Sequence, residues 1–290
     1  MLTKTSILVT PDGRELWVET AGDPSGKALL FHNGTPTSRR LFPGMIEEGI
    51  DRGIFLIGYD RPGYGGSTPH PGRTVGDSVQ DVLTITRHFG VERLAVFGMS
   101  GGGPHAIASA LLLPQLVCAA ATFSSLAPVT FSDFDYFQGM SERKAKARKL
   151  YFSDPDGYRQ YLIEGSEDIK AATNEFIVGK LKAMPLEERV SQAFYEFSYE
   201  TMQIAIEKGI EGYWEDYQAL YSDWGFDLSN NKVPIQLWHG KNDSDVPFHH
   251  SERLSREIPN SELHLTETDG HFSILENNRV KAMEWLLQYF

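Results

Sequence analysis

The stretch Gly98-Met99-Ser100-Gly101-Gly102 has the spacing G-x-S-x-G. It follows a short apolar run, Leu94-Ala95-Val96-Phe97, and precedes a helical pattern over 101–113 that stops at Pro114. A serine in that position sits on a sharp strand-to-helix turn, where flanking glycines avoid the clash that a β-carbon would cause. The turn presents the Ser100 hydroxyl at a sheet edge. The helix that follows points its first amides at the place where an acyl-transfer reaction develops negative charge. The same five residues could be a glycine-rich turn without chemistry, but the strand before them and the helix after them favour a nucleophile.

A serine hydroxyl attacks poorly unless a base takes its proton. Of nine histidines, His271 in Asp269-Gly270-His271-Phe272 follows the last strand-like run and precedes the last helix. That is the loop side on which Ser100 is expected. His264 falls inside a strand, His88 on a helix and His239 at a strand end, positions that suit structural histidines. The base in turn needs a carboxylate to fix its tautomer. Asp243 and Asp245 both lie in the loop Gly240–Pro247, between Ser100 and His271 in chain order. Asp243, His249 and His250 fit no recognised metal-ligand spacing, and His249 and His250 more simply open a helix after Pro247. No metal and no cofactor are expected.

Stabilising the oxyanion takes a second amide besides that of Gly101, from the loop after the first core strand. That loop is His32-Asn33-Gly34-Thr35-Pro36, so the amide of Gly34 or of Thr35 is the candidate.

These residues need a scaffold. Residues 5–20 alternate around Pro11-Asp12-Gly13 and read as a hairpin. Continuous apolar runs at 28–32, 53–60, 94–98, 117–123, 233–238 and 262–265 read as buried strands, with helical patterns between them, including one near 38–52. Such alternation predicts an α/β fold, a mostly parallel sheet flanked by helices. Between Ser124 and Asn231 the strands cease and helices rich in aromatics and charges take over. We read 1–126 and 229–290 as the core and 127–228 as a helical cap inserted into it. Phe134, Phe137, Tyr217, Tyr221 and Trp224 are the cap aromatics expected to line an apolar substrate cleft.

At 290 residues the chain can bury one large core. Its net charge of −12 argues against nucleic acid or an anionic membrane as partner. The basic run Arg143–Lys149 is expected to be the exposed face of a helix after Ser141. The single cysteine, Cys118, excludes an internal disulfide and is expected to be packed in a strand. With no apolar leader segment and no run long enough to span a bilayer, a soluble, cytoplasmic protein acting on a small molecule is expected. Oligomeric state is left open.

Together these motifs resemble the α/β-hydrolase superfamily, in its capped branch of esterases, proline iminopeptidases and epoxide hydrolase-like proteins. His32-Asn33-Gly34-Thr35-Pro36 is similar to that family's HGxP-type loop with one additional residue, and Asp60-Arg61-Pro62-Gly63-Tyr64-Gly65-Gly66-Ser67 to its DxPGxGxS stretch. Gly240–Pro247 looks like the family's GxxDxxVP acid loop, and Gly270-His271 like its terminal GH. The resemblance implies that Asp243 is the triad acid and that the elbow serine forms an acyl-enzyme. Ser100 stands where epoxide hydrolases and haloalkane dehalogenases of this fold carry aspartate, so neither activity is expected. Gly101 stands where proline iminopeptidases usually carry tryptophan, which turns the expectation towards carboxylic esters of small to medium acyl groups. An aminopeptidase or amidase, a lactonase or carbon–carbon hydrolase, and a slow, receptor-type binder are the alternatives.

Overall fold

A computed structural model describes residues 3–290. The hairpin comes first, as β1 (Lys4–Val9) and β2 (Glu15–Ala21). Next come β3 (Lys27–His32), α1 (Pro43–Ile50), β4 (Ile54–Tyr59), α2 (Ser78–Phe89), β5 (Leu94–Met99), α3 (Gly103–Leu112) and β6 (Val117–Phe123). Five helices then intervene: α4 (Glu142–Ser153), α5 (Pro155–Ala171), α6 (Asn174–Ala183), α7 (Gln192–Ala205) and α8 (Glu211–Leu220). The chain returns through β7 (Ile235–Gly240), α9 (His249–Glu257), β8 (Ser261–Thr266) and α10 (Ser273–Leu286).

The eight strands form one sheet in the order β1-β2-β4-β3-β5-β6-β7-β8. Along that order pairing is antiparallel between β1 and β2 and between β2 and β4, and parallel from β4 through β3 to β8. Strands β4 and β5 are buried along their whole length, which is why they read as continuous apolar runs. Two apolar clusters cover the two faces, one including Leu30, Val96 and Leu237 and the other Leu29, Phe97 and Phe123. Among the described residues, no helix is long and apolar enough to cross a membrane.

After β3 the chain moves to β4 on one side, then crosses back to β5 on the other. Such a reversal opens a crevice at the carboxyl ends of the parallel strands. In the register of β3 and β5, His32 lies opposite Gly98, which brings the loop after β3 beside Ser100. Gly240 lies opposite Thr266, so the loops after β7 and β8 emerge together.

Two local expectations are corrected. The helix expected near 38–52 begins only at Pro43, whose missing N–H is tolerated in a first turn but not inside a helix. Residues before it stay irregular because they are tied elsewhere: Ser38 Oγ lies 2.7 Å from Thr201 Oγ1 on α7, and the Ser38 carbonyl accepts from Asn33 Nδ2 at 2.6 Å. Cys118, second in β6, is half-buried rather than fully packed.

Candidate active site

Ser100 has φ 52°, in the left-handed region that non-glycine residues rarely occupy. The turn holding it is too crowded for side chains: a β-carbon at Gly102 would lie 1.9 Å from the His32 carbonyl oxygen. A β-carbon at Gly101 would lie 2.3 Å from Thr35 Oγ1. Gly34 does have room for one, at ordinary contact distance from Ser100 Cβ (3.6 Å). Gly34, Thr35 and Gly101 therefore all lie around the serine. Backbone strain of this kind costs on the order of 1–3 kcal/mol and persists only where surrounding packing imposes it.

Ser100 Oγ lies 3.1 Å from His271 Nε2, and His271 Nδ1 lies 2.8 Å from Asp243 Oδ2. Asp243 Oδ1 accepts from the amides of Asp245 (2.9 Å) and Val246 (2.8 Å). Burial by itself would raise the Asp243 carboxyl. Electrostatic attraction to His271 and hydrogen bonds from His239 and His271 outweigh it and hold the group well below the usual carboxylate range. A carboxylate that stays ionised fixes the Nδ1–H tautomer of His271 and leaves Nε2 free to accept the serine proton.

His239, read from sequence as structural, touches this carboxylate. Its Nε2 lies 2.6 Å from the Val246 carbonyl and 3.3 Å from Asp243 Oδ2, while Nδ1 lies 2.7 Å from Ser251 Oγ. A carbonyl only accepts, so Nε2 carries the hydrogen and turns it towards both oxygens. The carboxylate of Asp245 pairs with Lys144 instead.

The loop after β3 is fixed by a buried ionic cluster. Arg61 donates to the carbonyls of Asn33 and Gly34 (the latter at 2.8 Å) and to Thr35 Oγ1 at 3.0 Å. Asp216, on α8, accepts from Arg61 Nη2, Arg73 Nη2 and Thr35 Oγ1, each at 2.5 Å, and from Tyr64 Oη at 3.1 Å. Both Arg61 and Asp216 are fully buried. Removing one partner of a buried pair leaves the other charge uncompensated, so Asp216→Asn is expected to destabilise the fold by about 3–5 kcal/mol. Glu200→Gln, which breaks the exposed pair with Arg40, is expected to change it by no more than about 1 kcal/mol. Urea unfolding of the two variants makes the comparison, and equal midpoints would refute it.

A cavity of about 320 Å³ opens over Ser100 and His271. Its walls include Phe31, Met45 and Met99 from the sheet side and Tyr158, Phe197 and Tyr217 from the inserted helices. Of the five cap aromatics expected at the cleft, only Tyr217 lines it. Phe134, Phe137, Tyr221 and Trp224 pack into or against the core cluster instead, where their large apolar area is better buried against other rings. The expectation for the basic run is also corrected. Arg143, Lys146 and Lys149 are exposed, but Lys144 and Arg148, four residues apart on α4, turn inward and line the cavity.

A model of the alpha/beta hydrolase fold matches residues 27–278. The chain belongs to the α/β-hydrolase fold family. An AB hydrolase superfamily protein of Bacillus subtilis, YisY, is 26% identical over 267 residues, 90% of each chain. A bifunctional esterase/perhydrolase of Acinetobacter calcoaceticus is 21% identical over 87% of each. Among solved structures, an esterase of Exiguobacterium antarcticum superposes with a TM-score of 0.70 at 21% identity, covering 99% of both chains. Proline iminopeptidases and haloperoxidases are also among this α/β-hydrolase's relatives. Arg61 and Asp216 are what sequence reading of this α/β-hydrolase missed. Arg61 lies in a quoted motif without a role, and Asp216 lies 155 residues away from it, with no spacing signal to join them.

Proposed function

We propose that this α/β-hydrolase is a serine hydrolase that cleaves carboxylic esters of small to medium acyl groups. The observation carrying the reading is the chain Ser100–His271–Asp243, at 3.1 and 2.8 Å, on a strained turn under the cavity. Ser100 Oγ attacks the ester carbonyl as His271 Nε2 takes its proton. Asp243 holds the imidazolium that results. The tetrahedral oxyanion lies towards the amides of Gly101 and of Gly34 or Thr35. His271 then protonates the departing alcohol, leaving an acyl-Ser100 ester. Water, deprotonated by the same imidazole, attacks that ester and releases the acid. In this reading residues 1–126 and 229–290 carry the triad, and 127–228 form the cap that walls the cavity.

Ester rather than aminopeptidase activity is favoured by where the carboxylates go. A substrate ammonium needs an unengaged carboxylate facing it. Glu215 and Asp216 are buried against Arg73, Glu211 pairs with Arg159, and Glu200 pairs with Arg40. Among the described residues, Asp245 is the one carboxylate lining the cavity, and it already pairs with Lys144. Amide cleavage also has the poorer leaving group, so without an anchor the substrate lacks binding energy to position that step. We therefore expect kcat/KM to be higher for p-nitrophenyl butyrate than for prolyl-p-nitroanilide on one preparation. A higher value for the prolyl substrate would replace this reading with the aminopeptidase.

A further inference from the structure

Four cationic side chains line the cavity over Ser100: Arg40, Lys144, Arg148 and Arg279. Three are engaged in ion pairs. Arg40 pairs with Glu19 and Glu200, Arg279 with Glu48, and Lys144 with Asp245. Arg148 differs. Its Nη1 donates to the Asp245 carbonyl at 2.8 Å and lies 3.4 Å from Met140 Sδ, both uncharged partners. Among the described residues, no carboxylate forms an ion pair with its guanidinium, and the rings of Tyr158 and Tyr217 line the same cavity.

A guanidinium stays ionised at any working pH, and Arg148 is partly withdrawn from water with only uncharged hydrogen-bond partners, which is costly. The cost is offset when an anion enters. The planar fork takes a carboxylate through two parallel hydrogen bonds, and the hydroxyls of Tyr158 and Tyr217, which line the same cavity, can donate to the same oxygens. The chain as a whole carries −12, so its long-range field repels anions. A cationic lining in such a protein is a local feature of the cavity, not a by-product of a basic surface. Arg148 is also tied to the loop that holds Asp243, since it binds the carbonyl of Asp245, two residues further on.

We propose that Arg148 forms an anion subsite within the active cavity, and that the substrates are esters bearing a carboxylate, such as half-esters of short dicarboxylic acids. This rests on the hydrolytic reading above and narrows its substrate class. The inward-facing pair Lys144 and Arg148 on α4 gives the basic run its role: Lys144 fixes Asp245, and Arg148 faces the ligand.

The test compares pairs of esters that differ only in charge. On the acyl side, monomethyl glutarate is set against its ω-carboxamide analogue; on the alcohol side, 3-acetoxypropanoate against 3-acetoxypropanamide. In at least one pair the carboxylate is expected to raise kcat/KM by about 10- to 100-fold, the range of a charge-assisted pair. Arg148→Met keeps most of the stem, and in it that ratio is expected to fall to about 3 or less; Arg148→Lys should keep an intermediate ratio because charge remains without the fork. No preference in either pair, or a preference that survives Arg148→Met, overturns the subsite. Binding separates it from the hydrolytic reading. Glutarate should bind the Ser100→Ala protein in calorimetry and glutaramide should not. Glutarate binding without hydrolysis of any ester would overturn the hydrolytic reading and keep the subsite, whereas ester hydrolysis without glutarate binding would do the reverse.

Discussion

Replacing Ser100 by alanine is expected to lower kcat for ester substrates by about 10⁴- to 10⁶-fold. One oxygen is lost, and it is the oxygen that forms the acyl bond. His271→Ala should cost a comparable factor, because nucleophile and base act as one unit and the double variant should lose little more. Neither change is expected to disturb the fold. Ser100 is half-exposed at the cavity floor, and its Oγ reaches His271 Nε2 at 3.1 Å. Alanine keeps the β-carbon, so the strained turn at φ 52° is retained together with the packing that imposes it. Steady-state kinetics gives the first quantity and a thermal melt the second. A Ser100→Ala protein that keeps more than a few per cent of activity, once contamination is ruled out by repurification, would falsify its role as nucleophile.

Asp243→Asn is expected to lower kcat by about 10⁴-fold, while Asp245→Asn stays far closer to the parent. The two residues share one loop and one charge, so the contrast isolates geometry. Asp243 Oδ2 accepts from His271 Nδ1, and an asparagine amide turned that way would present a donor and favour the wrong imidazole tautomer. Asp245 contributes its amide to Asp243 and its carboxylate to Lys144, and neither contact reaches the imidazole. Measuring both variants with one ester decides the matter, and a greater loss at position 245 would reverse the assignment. Because its carboxyl is depressed in the fold, Asp243 adds stability that is present above the ordinary carboxylate pKa. That stability is lost as pH falls through the lowered value. The acid-induced loss should therefore be smaller in Asp243→Asn than in the parent.

Much of the scaffold is legible in the sequence, for a local reason. A strand buried on both faces must be apolar throughout, so β4 and β5 announce themselves as unbroken runs. The elbow is likewise local: Ser100 needs a strand before it, a helix after it and glycines around it, all within about a dozen residues of sequence. His271 could be placed, and the acid narrowed to Asp243 or Asp245, because both loops follow a strand and parallel strands deliver their carboxyl-end loops to one edge; the family resemblance, not position, singled out Asp243.

What escaped the sequence is whatever depends on which way an inserted helix rolls. Periodicity tells that α4 carries a basic face, but not that Lys144 and Arg148 turn towards the cavity while Arg143, Lys146 and Lys149 turn out. The same ambiguity put Phe134, Phe137, Tyr221 and Trp224 at a cleft they do not line, since core packing and cleft lining use the same aromatic residues. In sequence, Asp216 is one acid among several in the inserted helices, beside Glu211 and Glu215. Only the tertiary structure sets it against Arg61 and Arg73, because the cost of burying that carboxylate is met by cations that lie 155 and 143 residues away. The chain's own order therefore determined the fold and the nucleophile, base and acid candidates, each tied to a strand end. Helix packing decided the charge and shape of the cavity above them, because a side chain's exposure there depends on neighbours that are distant in sequence.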